Sequence, residues 1–129
     1  MSATAPNYSP RVLELFAELP GAGSLPPGSG EIVAGEAVAL DRGAWVRFEA
    51  RLENGRIAGC CYRAWGCPHT LAAAALVAAE LRARPLEGPH GIDASRLARE
   101  LDAPAEKMGR FLVIEDALRA LLAHERRVQ

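Results

Sequence analysis

The sequence predicts an α+β fold: a three-stranded antiparallel sheet in meander order, with helices packed on one face. Three short segments rich in β-branched and aromatic residues, Glu31–Leu40, Ala44–Leu52 and Arg56–Trp65, follow one another across turn-length gaps. Between the last two stands Glu53-Asn54-Gly55, whose Asn-Gly pair is a strong hairpin signal. In the middle segment Trp45, Arg47, Glu49 and Arg51 leave by one face, and Ala44, Val46, Phe48, Ala50 and Leu52 by the other. One face is therefore packed and the other wet, so the sheet needs helices on one side only.

The flanking segments supply them. A first helix opens at Ser9-Pro10, as N-cap and first turn, carries Tyr8, Val12, Leu15, Phe16 and Leu19 as its apolar stripe, and stops at Pro20-Gly21. The Gly- and Pro-rich stretch from Pro20 to Gly30 reads as a surface loop, not a domain boundary. After the strands, an alanine-rich helix is expected over Pro68–Arg84 and a short one from Asp93, its cap, to Leu101. A closing helix is expected over Phe111–Arg126, with Phe111, Leu112, Leu118, Leu121 and Leu122 facing the core. At 129 residues, 50% apolar and 24% charged, the chain 1–129 is expected to form one domain with a core that needs no disulfides.

A net charge of −1 leaves no reservoir of cations for phosphates, so no nucleic-acid partner is expected. The first residues lack a basic and apolar leader, and the longest apolar run, Leu71–Ala79, is too short to span a bilayer. A cytoplasmic protein with no membrane partner is expected. The three cysteines, two of them adjacent, suit free thiols in a reducing compartment.

Cys60 and Cys61, neighbours on a strand, leave by opposite faces and cannot share an ion; one reads as a core thiol and one as a surface thiol. Cys67 differs. In Gly66-Cys67-Pro68 it takes the N-cap of the alanine-rich helix, where unpaired N–H groups and the helix dipole favour a thiolate, as nucleophile or metal ligand. Cysteine is a poor capper beside Ser, Thr, Asp or Asn, so its placement points to function. His69 either turns back toward the same sulfur or faces solvent. Cys-x-His supplies two ligands where zinc and iron sites use three or four. His90 and His124 read as surface residues, and Glu115-Asp116 as a solvated helix face. No H-E-x-x-H, C-x-x-C, phosphate loop or G-x-S-x-G occurs, so the protein is not expected to be an enzyme.

"YSPRVLELFAELPGAGSL", "ENGRIAGCCYRAWGC" and "FLVIEDALRALLA" together resemble the IscU-type iron–sulfur cluster assembly scaffold family, the N-terminal domain of NifU-like proteins. They match its opening helix with an Asn-Pro-Arg-x-x-Gly turn, its hairpin ending in Tyr-Gly-Cys, and its closing helix. From Asp41 onward the family pattern can be laid on the chain without a gap. The resemblance implies the fold predicted above and a site at one end of the sheet, where the family binds a cluster through three cysteines with a nearby aspartate and histidine.

Here the second cysteine is Cys67; the first falls on Asp41, the aspartate on Gly43, and a His-Cys pair on Gly109-Arg110. The resemblance therefore implies zinc, iron or sulfur at Cys67, with Asp41 and His69 as auxiliary ligands and Gly43 and Arg110 lining the pocket. Arg110 could instead pair with Asp41 or with the Cys67 thiolate. A [2Fe–2S] cluster needs four soft ligands, so an intact cluster is not expected in a monomer; a homodimer could pool two Cys67 thiolates. The family's chaperone-binding Leu-Pro-Pro-Val-Lys becomes Ala103-Pro104-Ala105-Glu106-Lys107, leaving Pro104 and Lys107 as its partner-binding residues. The implied partners are cluster-assembly proteins such as a cysteine desulfurase. The alternatives are a metal-free docking module of the same fold, and a Cys67 thiolate that transfers sulfur with no general base in evidence.

Overall fold

The computed structural model describes residues 8–18, 21–23, 25, 28, 30–82, 84–85 and 90–128, the last five as backbone only. Its elements run α1 (Pro10–Glu18), β1 (Glu31–Ala39), a 3-10 turn (Leu40–Arg42), β2 (Ala44–Glu53), β3 (Arg56–Trp65), α2 (Pro68–Leu81), α3 (Ala94–Glu100), a second 3-10 turn (Ala105–Lys107) and α4 (Met108–Val128). The sheet has the order β1-β2-β3 and is antiparallel throughout, as the sequence predicts. Asn54 and Gly55 close the second hairpin with φ of 56° and 77°, the pair of positive values that a type I′ turn requires.

Helix α4 crosses the inner face of β1 and β2, while α2 covers β3 and packs on α1. Burial along β2 alternates as expected, with Ala44, Val46, Phe48, Ala50 and Leu52 turned inward. Ala72 to Ala78 are buried without a break, which explains why α2 is built from alanine: a helix enclosed on nearly all sides leaves no room for larger side chains. On the outer face Arg47 donates to Glu36 at 3.1 Å and to Glu49 at 3.2 Å, and Arg63 donates to Glu49 at 3.2 Å.

Four expectations need correction. Helix α2 ends at Leu81, not Arg84, because the backbone turns extended at Arg82 and the Arg84 carbonyl accepts from Ile57 N at 2.8 Å, covering one end of the β3 edge. Further along that edge Tyr62 N donates to Gly21 O at 3.0 Å and Gly23 N to Tyr62 O at 2.8 Å. In α4, Leu112 is 48% exposed and Val113, Ile114 and Ala117 are buried in its place. Phe111, Ile114, Leu118 and Leu121 set the helix phase, and Leu112 stands about 100° round from Phe111. Phe16 is 38% exposed, so the buried stripe of α1 reduces to Val12 and Leu15; Leu19 lies outside the described residues. Strand β1 stops at Ala39, which leaves Leu40 79% exposed on the following turn.

Ser9 caps α1 as predicted, and does more. Its hydroxyl accepts from Val12 N at 3.2 Å and donates to Leu101 O at 2.6 Å, tying α1 to the end of α3. Ser9→Ala removes both bonds, so a loss of about 1–2 kcal/mol is expected in urea unfolding. An unchanged midpoint would show that neither bond contributes.

Candidate functional site

The site lies where the β1–β2 turn, the end of β3 and the starts of α2 and α4 meet. Cys67 is the N-cap of α2 with extended backbone, φ −76° and ψ 168°, but its side chain makes no capping bond. The half-buried Sγ lies 3.8 Å from Thr70 Oγ1, one turn into the helix. Gly66 brings the strand onto the helix at φ +149°; a Cβ there would sit 3.0 Å from Thr70 Oγ1 and 3.2 Å from the Gly43 carbonyl. Gly43 is itself left-handed at φ 61° and ends the first 3-10 turn.

Asp41 stands exposed on that turn, and its carboxylate pairs with no described cation. The neighbouring Arg42 reaches across to α4, where a Cβ added to Gly109 would come within 2.6 Å of its Cδ, Nε and Cζ. Nothing in the sequence reading singled out Arg42 or Thr70. Arg42 lies between two positions matched to the family's ligands, and Thr70 stands one helical turn past Cys67; those spacings were the available signals.

His69 corrects the solvent-facing alternative. It is fully buried between Tyr8, at 5.1 Å between ring centroids, and Phe111, at 6.3 Å. Neither ring nitrogen has a hydrogen-bond partner. Burial, then the nearby charges of Lys107 and Arg110, hold its pKa below the usual imidazole value, so it is kept neutral. Arg110 pairs with neither Asp41 nor Cys67, and its Nε is buried without a partner. Among the described residues no group of three or more His, Cys, Asp or Glu side chains is placed to hold a metal ion. Four ligands for a cluster are thus not assembled in this conformation.

The other two thiols behave as expected: Cys60 is buried, with its pKa pushed up to about 12 by burial and by Cys61, while Cys61 is half-exposed on the outer face. His90 is half-exposed, its Nε2 3.0 Å from the Pro85 carbonyl, and the side chain of His124 lies outside the described residues. Glu115 is only partly solvated, because it accepts from Ala94 N at 2.9 Å at the start of α3. Pro104 and Lys107 line a cleft of about 770 Å³ together with Tyr8, Ser9, Asp102 and Glu106.

Residues 7–129 match the NifU-like N terminal domain. The chain belongs to that family. It is 26% identical over 117 residues to the iron-sulfur cluster assembly scaffold protein IscU of Haemophilus influenzae, covering 90% of this chain and 93% of that one. It is also 26% identical to the mitochondrial iron sulfur cluster assembly protein 1 of Schizosaccharomyces pombe, over 95% of this chain and 64% of that protein. Among solved structures, the putative cluster assembly scaffold for the SUF system of Fervidobacterium islandicum superposes with a TM-score of 0.66 at 12% identity, over 89% of this chain and 96% of that one. The NifU-like N-terminal domain of Brucella abortus gives 0.57 at 16% identity, over 95% and 94%. The Haemophilus and Fervidobacterium proteins are named as scaffolds, and the shared fold is the one predicted from the strands and helices above. No helix among the described residues of this NifU-like domain is long and apolar enough to cross a membrane.

Proposed function

We propose that this NifU-like chain works in iron–sulfur cluster assembly as a cytoplasmic, non-catalytic protein of the scaffold fold. It would engage its cargo, zinc, iron or sulfur, through the Cys67 thiolate. Asp41, His69 or a partner protein would complete the contacts, and an autonomous [2Fe–2S] scaffold is not part of this reading. The observation that supports it most is the position of Cys67: a half-buried residue at the head of a 14-residue helix, whose sulfur makes no capping bond and lies 3.8 Å from the Thr70 hydroxyl. A metal ion displaces the thiol proton on binding, and the thiolate so formed is a soft-metal ligand. A site with one firm ligand also needs ligands from elsewhere, so a partner such as a cysteine desulfurase fits its chemistry. A homodimer that pools two Cys67 thiolates would do the same.

The test is metal and sulfane-sulfur analysis of anaerobically purified wild type beside Cys67→Ser. The wild type is expected to carry up to about one equivalent of zinc, iron or sulfur, which the variant loses. Equal content in both would remove Cys67 from the reading.

A second reading, a metal-free docking module, is favoured by one observation. The Arg42 side chain fills the space over Gly109, where the family pattern has a ligand. On that reading purified protein holds neither metal nor sulfur while still forming a complex with a cysteine desulfurase.

A further inference from the structure

His69 occupies a costly place in the fold. Its imidazole is fully buried, and both ring nitrogens lack a hydrogen-bond partner among the described residues. A buried polar group left unpaired calls for a state of the protein in which it is satisfied. The two aromatic rings that enclose it differ in how firmly they are held. Phe111 is fully buried on α4, the helix that crosses the sheet, and cannot leave unless that helix lifts. Tyr8 has no such support. It precedes Ser9, is half-buried, and its hydroxyl makes no hydrogen bond among the described residues.

Tyr8 meets the imidazole at 5.1 Å between ring centroids, and it also lines the cleft of about 770 Å³ beside Asp102, Glu106 and Lys107. It therefore stands between the cleft and His69. The next residue is anchored separately: the Ser9 hydroxyl accepts from Val12 N and donates to Leu101 O, which fixes the start of α1. Tyr8 can turn away while α1 stays seated.

We infer that Tyr8 is a lid over His69: it swings out from the Ser9 anchor, opens the imidazole to the cleft, and so controls when a second ligand can join Cys67 on a divalent cation. Closing buries two unpaired nitrogens, and opening lets water or a cation satisfy them, which offsets the lost contact between the rings. Neutral imidazole is the form that binds metal, and burial already keeps His69 in it. A cation that takes His69 binds the open state alone, so it draws the lid open, and anything that opens the lid tightens the cation. The lid stands on its own geometry; its coupling to metal rests on the reading of Cys67 as the first ligand.

Diethyl pyrocarbonate acylates accessible neutral imidazoles, and peptide mapping by mass spectrometry separates His69 from the half-exposed His90. Cys60, 1% exposed in the core, reports global opening through its alkylation by iodoacetamide. In the wild type, His69 should react more slowly than His90, at a rate that urea below the unfolding transition leaves unchanged. Alkylation of Cys60 should climb with urea over the same range, because global unfolding exposes far more surface than a local opening does. Tyr8→Ala should speed acylation of His69 at least about tenfold, with Cys60 as protected as in the wild type, and Tyr8→Phe, which keeps the ring, should stay within about twofold. Zinc affinity, measured by competition with a chromophoric chelator, should rise at least about fivefold in Tyr8→Ala, since the closed state no longer competes. Adding His69→Leu to Tyr8→Ala should cancel that gain.

Acylation of His69 that rises with urea in step with alkylation of Cys60 would overturn the lid, as would an unchanged rate in a Tyr8→Ala protein of native circular dichroism. Zinc affinity unaltered by Tyr8→Ala, in a protein whose zinc Cys67→Ser removes, would overturn the coupling. Zinc retained in full by Cys67→Ser would remove the cargo reading and the coupling with it, and the acylation rates alone would then decide the lid.

Discussion

Gly35→Ala is expected to cost the fold about 3 kcal/mol and to lower the midpoint of thermal unfolding by roughly 10 °C. Gly35 is a buried residue in the middle of β1, and α4 lies directly on it. A Cβ there would fall 2.6 Å from the Ala117 carbonyl oxygen and from Leu121 Cα, and closer still to the Leu121 amide nitrogen. These are backbone atoms of a helix, so no side-chain rotation relieves the overlap. The helix has to lift off the sheet, and the buried face of α4, with Ile114, Ala117 and Leu121, loses its packing on β1 and β2. Glycine in a strand weakens it by itself; here the loss is offset by the close packing of helix on sheet. Urea and thermal unfolding of the wild type and Gly35→Ala decide the point. A difference under about 0.5 kcal/mol would mean that α4 is not seated as described.

The second expected result is the opposite in sign: His69→Leu stabilises the protein by about 1–3 kcal/mol at pH 7. The imidazole has no exposed surface and two unpartnered nitrogens between Tyr8 and Phe111, and a buried donor or acceptor left unpaired costs that much. Leucine is close in volume and brings no polar atom. The pH dependence gives an independent check.

Burial, aided by Lys107 and Arg110, lowers the folded-state pKa of His69, so the unfolded chain binds more protons in the range below about pH 6.5. Stability should therefore be greatest above that pH and fall as the pH drops through it toward the folded value, by at most about 1.4 kcal/mol per unit from this group. His69→Leu should remove this part of the acid sensitivity. A destabilised variant, or one with wild-type acid sensitivity, would mean that the imidazole has partners in solution. A stabilised variant that also loses zinc, iron or sulfur would give His69 a functional reason to occupy a costly place.

Much of the architecture could be read from local signals. Asn54-Gly55, the alternation of β2 and Ser9-Pro10 each act through neighbours in the chain, and the strands and caps they announce are present. The errors came where contacts distant in sequence outweigh local ones. Helix propensity would carry α2 through Arg82 to Arg84, but a backbone bond to Ile57 takes that segment into edge pairing with β3. Apolar character alone placed Leu112 inside, whereas the phase of α4 against the sheet turns it out. The same holds at the site: Cys67 could be placed at a helix N-terminus from Gly66 and Pro68, yet the fate of His69 depended on two aromatic rings far away in sequence, Tyr8 and Phe111.

The order of apolar, turn and capping residues determined on its own that this chain would be a three-stranded meander backed by helices, with one sulfur at the head of the second helix. Tertiary packing alone decided which side chains share that end of the molecule: an arginine lies across Gly109, and a neutral histidine is enclosed by aromatic rings. Periodicity and capping depend on residues within a few positions of each other. Burial, close backbone approach and charge pairing depend on segments brought together only when the helices close over the sheet.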